Sequence, residues 1–164
     1  MGDIQIVRGA RTDAYAVRRA VFMEEQGYER EFDALDDDPR CVHLAAYEDG
    51  ALAGCARAYP AAAARELAPE SPLPPASVPG VAAPGDTVYL LGRVAVLPAF
   101  RGRGVARSLV DACDGIARAA GARAMMLHAQ ERACGLYAAC GYAAVTPLDY
   151  EDEGQPHRWM AKRL

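Results

Sequence analysis

Residues 87–113 read TVYLLGRVAVLPAFRGRGVARSLVDAC: an apolar run, a turn of alternating arginines and glycines, then a new apolar pattern. The run Thr87–Pro98 is apolar at most positions, as expected of a central strand covered on both faces. From Val105 the apolar residues fall at helical spacing, through Leu109, Cys113, Ile116 and Ala120, with Gly121 as a natural stop. Between strand and helix lie Arg101, Gly102, Arg103 and Gly104. The first N–H groups of a helix lack partners within it, and with the macrodipole they favour an anion. Glycines let the backbone approach an oxygen closely because no Cβ intervenes, and arginines add charge-assisted hydrogen bonds. The stretch is thus a candidate phosphate site, set against the plainer reading of a tight turn with two solvated arginines. It is not a Walker loop, because Val105 follows Gly104 where Lys is required. Nor is it a dinucleotide fingerprint, because Arg107 replaces the third glycine. What remains is Arg101-x-x-Gly104-x-Ala106.

The flanking sequence completes an α/β pattern. Upstream, Ile4 and Ile6 alternate with polar neighbours in a short strand. Thr12 is a candidate N-cap for a helix carrying Ala14, Val17 and Val21, which should end near Gly27. The acidic segment 28–40, YEREFDALDDDPR, has room for one helical turn before Pro39. Residues 41–59 form two apolar segments about Glu48-Asp49-Gly50, a hairpin signal. Residues 60–86, rich in Pro and Ala, read as a loop insertion, poorly ordered and nearly free of reactive groups. Downstream come a buried-type strand at 123–128, a helix with Ala133, Leu136, Tyr137 and Cys140 on one face, and strands at 142–145 and 158–161.

Composition bounds the function. With 164 residues the chain is read as one domain, 1–164, able to bury a proper core. A formal net charge of −4 removes the basic footprint of a nucleic-acid binder. No apolar run is long enough for a membrane span, and the N-terminus lacks a signal-peptide pattern. Five cysteines, an odd number without a C-x-x-C pair, argue against zinc or a disulfide framework. Reduced thiols and a cytoplasmic location are expected.

Taken in order, these motifs resemble the GNAT (GCN5-related N-acetyltransferase) superfamily. Its signature, Gln/Arg-x-x-Gly-x-Gly/Ala, is matched by Arg101, Gly104 and Ala106, with LGRVAVLPAF as the preceding strand. LYAACGY is similar to the family's (F/L)Y-x-x-x-G-(F/Y) segment, and RRAVFMEEQGY, GRVAV, LHAQ and EDEGQPHRWM together resemble the ElaA-type branch. About four-fifths of the chain is covered, 60–86 being the main departure. The resemblance implies an α/β fold: a mixed, mostly antiparallel sheet of six to seven strands, flanked by about four helices, with the fourth and fifth strands splayed. It implies acetyl-CoA as co-substrate and direct attack by a primary amine of a small molecule or peptide. By the same resemblance, Arg101, Gly102, Arg103, Gly104, Val105 and Ala106 hold the pyrophosphate, and Val94 and Val96 present backbone to the pantetheine arm. Gln130 stands where many members carry a cofactor-contacting asparagine, and Tyr137 lies near the sulfur. Exposed strand edges in this fold often pair into homodimers.

Transfer of an acyl group from a thioester to an amine needs a neutral amine and a leaving thiolate that gains a proton or hydrogen bond. Periodicity alone makes Tyr137 a core residue; the resemblance makes it the donor to sulfur. The glutamate that some members carry four positions before Val94 is Leu90 here. Candidate bases are therefore Glu24, Glu25, His43 and His128, beside an ordered water. Arg93 interrupts an apolar strand and needs a partner, either a structural carboxylate or a group at the acceptor pocket. Gln26 is a further acceptor-side candidate. The acidic residues 29–38 are either a solvated face or a field that attracts a cationic acceptor. Two other readings remain open: a non-catalytic acyl-CoA sensor, and an acyltransferase similar to acyl-homoserine-lactone synthases, which usually carry a tryptophan near Tyr28.

Overall fold

The computed structural model describes residues 2–164. Its elements are β1 (Ile4–Arg8), α1 (Arg11–Arg18), β2 (Val42–Glu48), β3 (Ala51–Pro60), α2 (Ala61–Leu67), β4 (Val88–Val96), α3 (Val105–Ala119), β5 (Ala124–Gln130), α4 (Cys134–Ala139), β6 (Ala143–Ala144), β7 (Asp149–Asp152) and β8 (Gln155–Arg163). The strands make one mixed sheet in the order β1-β2-β3-β4-β5-β8-β6, with β7 also on β8. Every pairing is antiparallel except β4 with β5.

Alternation along the strands assigns the two faces. Leu91 and Leu127 pack with Leu109, Val110 and Cys113 of α3 and Tyr137 of α4. Their neighbours Leu90 and Met126 turn the other way, onto Ala61 and Ala64 of α2 and onto Trp159. On that second face, Val17, Val21 and Phe22 cover Cys55 and Ala95. The α3 stripe is buried from Val105 to Ile116, while Ala120 lies past the packed surface and is exposed.

Three local readings change. The first helix starts at Arg11 behind Ala10, not at a Thr12 cap, because Gly9 (φ +78) turns the chain earlier. It then widens into a π-helical stretch, Arg19–Glu25, a geometry that concentrates at functional sites. Residues 60–86 are not all loop: Ala61–Leu67 is α2, and Ala61, Ala63 and Ala64 are buried. Alanine methyls are strong helix formers and small enough to sit close on the sheet. Val78 and Ala82, bridged to each other, are buried with them. The eighth strand arises because the polar segment Asp149–Asp152 pairs with β8 across Glu153 and Gly154, both at positive φ. No helix among the described residues is long and apolar enough to cross a membrane, and all five cysteines are free.

Candidate active site

The parallel pair β4–β5 is short. Val88, Tyr89 and Leu90 face Ala124, Met125 and Met126, and beyond them the strands separate. The cause lies in β4. Gly92 to Ala95 stand opposite Arg57 to Cys55, so β4 carries one extra residue against β3. Such a bulge bends the strand and re-aims its side chains. Arg93 sits in it with φ +55, backbone that a side-chain-bearing residue adopts at a cost.

The acidic segment holds Arg93 there. Its guanidinium donates to the Glu31 carbonyl at 2.9 Å, pairs with the Glu31 carboxylate at 2.8 Å and lies 3.5 Å from Asp33. Arg18 bonds Glu31 and Asp36, and Arg57 bonds Asp33 and Asp36. Three arginines thus balance three carboxylates. Glu31, Asp33 and Asp36 are neither a solvated face nor a free field for substrate; they are spent on buried arginines. Sequence reasoning missed this because Arg18 and Arg57 lie far from the acids in the chain.

The separated strands enclose a cavity of about 340 Å³. Arg93, Val94, Val96, Arg101, His128, Gln130 and Tyr137 line it, as do Glu25 and Gln26. Tyr137 enters from α4, buried, and burial pushes its hydroxyl pKa well above the usual range, so it stays protonated. That hydroxyl makes no hydrogen bond among the described residues. Gln130 Nε2 donates to Gln26 Oε1 at 2.9 Å, and Arg101 pairs with Glu25 through bonds of 2.9 and 2.6 Å. The end of the π-helical stretch therefore touches both lips of the cleft.

At the mouth, Gly102 (φ +74) and Gly104 (φ +85) bring the chain to the α3 N-terminus, which has no side-chain cap. A Cβ at either glycine would meet nothing within 4 Å, so both glycines are there for their backbone conformation and not for want of room. Gly102, Arg103, Gly104, Val105 and Ala106 lie outside the cavity lining. Arg103 does not converge with Arg101, because its guanidinium bonds the buried Glu48 of β2 at 2.9 Å.

Among the candidate bases, Glu24 is exposed and off the cavity, and Glu25 is held by Arg101. His43 is buried, with Nε2 bonded to the Asp36 carbonyl, and burial lowers its pKa. His128 lines the cavity with Tyr28 and with two residues that sequence reasoning passed over, Asp152 and His157. Burial, followed by the Asp152 charge, pushes Tyr28 up to about 12. The sequence signal for the hairpin that carries Asp152 and His157 is the Glu153-Gly154 turn between them. Ligating atoms of His128, Asp152 and His157 lie within 4.8 Å of one another. The two rings, however, stack at 4.7 Å with planes 16° apart. Their lone pairs run in separate, near-parallel planes and do not meet on one ion.

A mixed sheet split between two strands, with a glycine-arginine turn and a bare helix N-terminus at the opening, defines an acyl-CoA-type acyltransferase fold. Residues 9–142 match the model of the acetyltransferase (GNAT) family, and the chain belongs to that family. A Bacillus subtilis (strain 168) protein provisionally named an acetyltransferase is 31% identical over 155 residues, covering 92% of this chain and 87% of its own. The crystal structure of a Lactobacillus plantarum protein, provisionally described as an N-acetyltransferase, superposes with a TM-score of 0.72 at 27% identity and 98% coverage of both chains. Escherichia coli ElaA shares the fold, with a TM-score of 0.69 at 22% identity and 99% coverage of each chain.

Proposed function

We propose that this chain transfers the acetyl group of acetyl-CoA to a primary amine of a small molecule or peptide, by direct attack in the β4–β5 cleft. The observation that carries the reading is what meets in the cleft where β4 and β5 part. Arg101 of the glycine turn, Val94 and Val96 of the bulged strand, and Tyr137, whose hydroxyl bonds none of the described residues, all line it. Gly102 to Ala106, with Arg101, take the pyrophosphate. Val94 and Val96 offer backbone groups to the pantetheine arm, Gln130 lines the far lip, and Tyr137 supplies a proton or hydrogen bond to the departing sulfur. No residue in this scheme requires a metal. Work on cytoplasmic amines is the expected setting.

Thermal unfolding with acetyl-CoA tests the reading, with adenosine 3′,5′-bisphosphate as control. At about 100 times the dissociation constant a native-state ligand adds ~2.7 kcal/mol. For a chain of this size that raises the midpoint by about 5–11 °C. A clearly larger shift with acetyl-CoA, followed by thiol release with an amine, is expected. No shift at saturation overturns the donor assignment, and a shift without thiol release from any amine turns the protein into a sensor.

A further inference from the structure

The acyl-transfer reading leaves one demand unmet: an amine arriving as ammonium must lose a proton before it attacks. With Leu90 buried at the position of the expected strand glutamate, the proton must go elsewhere. His128 stands where that need arises. Strand alternation places it on the same face as Met126, the last β5 residue paired to β4, so it is the first residue on that face beyond the split. Tyr137 belongs to the opposite, α3–α4 face, yet both line the one cavity. A thioester between the strands would therefore have its sulfur toward Tyr137 and its carbonyl open to attack from the His128 side.

The ring of His128 is fixed by its surroundings. Its Nε2 lies 3.0 and 2.9 Å from the two oxygens of Asp149. Burial would raise the Asp149 pKa, but the hydrogen bond from His128 and the charges of His128 and His157 outweigh it and hold the carboxylate below its usual range. An ionised Asp149 makes Nε2 the donor, which leaves Nδ1 as the lone-pair nitrogen. Nδ1 has no hydrogen-bond partner among the described residues and, unlike His43 Nδ1, is not sealed from solvent. His157 stacks on the ring and is anchored in turn, its Nδ1 bonded to the Gln155 carbonyl at 2.9 Å. A base held by an orienting carboxylate, with a free, solvent-reached nitrogen on a ring that lines a cleft, is the arrangement of proton-abstracting histidines.

We propose that His128 is the general base, oriented by Asp149, and that the acceptor is an aliphatic primary amine that docks as its ammonium beside Asp152. This rests on the acyl-transfer reading. The charge pattern supports the acceptor class. Glu31 and Arg93 cancel each other, whereas among the described residues Asp152 has only His157, at 3.6 Å, and the neighbouring cation Arg132 is bonded to Gln130. A carboxylate with so loose a partner attracts a cation into the cleft. In the step, one ammonium proton passes to His128 Nδ1, and the amine nitrogen bonds to the thioester carbon. As the tetrahedral intermediate collapses the C–S bond breaks, the thiolate takes a proton from Tyr137, and the second amine proton passes back to Tyr137, leaving the first on His128 for release. The products are an amide, the CoA thiol and one released proton.

Thiol release from acetyl-CoA tests this with two kinds of nucleophile at neutral pH. Ethanolamine, benzylamine and 1,4-diaminobutane arrive protonated; hydroxylamine is already neutral and needs no base. His128→Gln should lower turnover with the ammonium probes by on the order of 10² while sparing hydroxylamine. Asp149→Asn, which keeps the ring, should show the same selectivity more weakly. Equal losses with both kinds of nucleophile, or none, overturn the base assignment alone. Wild-type turnover of hydroxylamine but of no ammonium probe overturns the acceptor class. No thiol release by wild type with any of them overturns acyl transfer itself.

Discussion

The Arg101 guanidinium grips the Glu25 carboxylate through two hydrogen bonds of 2.9 and 2.6 Å, and its Nε donates to the Val96 carbonyl at 2.9 Å. One side chain therefore joins the glycine turn, the bulged strand and the end of the π-helical stretch. Its hydrogen bond, which outweighs burial, together with its charge holds Glu25 below the usual carboxylate range. A phosphate arriving at the turn competes with Glu25 for the same donors.

Removing that competitor should strengthen cofactor binding. Glu25→Gln is expected to tighten acetyl-CoA binding by about two- to fivefold, the range of one exposed charge pair, with the gain fading at high salt. Arg101→Glu should weaken it. Isothermal titration at two ionic strengths checks both, and unaltered affinity in Arg101→Glu would remove Arg101 from the phosphate site.

Tyr137→Phe separates binding from chemistry. The hydroxyl bonds no other residue, so its loss leaves no orphaned partner and little change in acetyl-CoA affinity. The maximal rate should fall by about 100-fold, the lower range for a lost proton donor. An unchanged rate in steady-state kinetics returns Tyr137 to a packing role.

Asp36 lies 2.6 Å from Arg18 and 2.7 Å from Arg57 in the buried network. Burial pushes its pKa up, but the Arg18 hydrogen bond and the charges of Arg57 and Arg18 prevail and depress it strongly. A depressed folded-state value means stability that is complete above the unfolded carboxylate value, ~3.9, and lost as pH falls below it. Asp36→Asn should therefore cost about 3–5 kcal/mol at neutral pH by leaving three arginines against two carboxylates in the buried network. In urea denaturation the gap to wild type should narrow below about pH 4. A constant gap across that range would contradict the ionised pairing.

Gly54 of β3 has no room for a side chain. A Cβ would stand 2.7 Å from the Ala95 carbonyl oxygen and 3.1 Å from Val105 at the start of α3. Gly54→Ala should destabilise the fold by about 1–3 kcal/mol, as overpacking does. Because the strain falls first on the bulged β4 at Ala95 and then on the start of α3, acetyl-CoA binding should weaken too. Thermal midpoints with and without acetyl-CoA measure the two effects.

Much of the site was legible because it is local in the chain. The strand–turn–helix at 87–113 is written in hydrophobic period and glycine placement, and Tyr137 stands in a short recognisable segment. Residues 60–86 were misread where runs of alanine look like low complexity, although small side chains are what allow α2 to lie against the sheet. Arg93 was legible as a buried cation needing a partner, but not as the residue holding the bulge against Glu31.

The sequence by itself determined the α/β order, the strand–turn–helix at 87–113, and the glycine-arginine turn before α3. These depend on period, backbone freedom and helix polarity within some thirty residues. The tertiary structure alone decided where the charges go: which acids neutralise Arg18, Arg57 and Arg93, which one holds Arg101, and that Asp149 stands behind His128. Coulomb interactions and hydrogen bonds act through space, between groups as far apart in the chain as Glu25 and Arg101. Their pairing is set only when the sheet has brought those segments together.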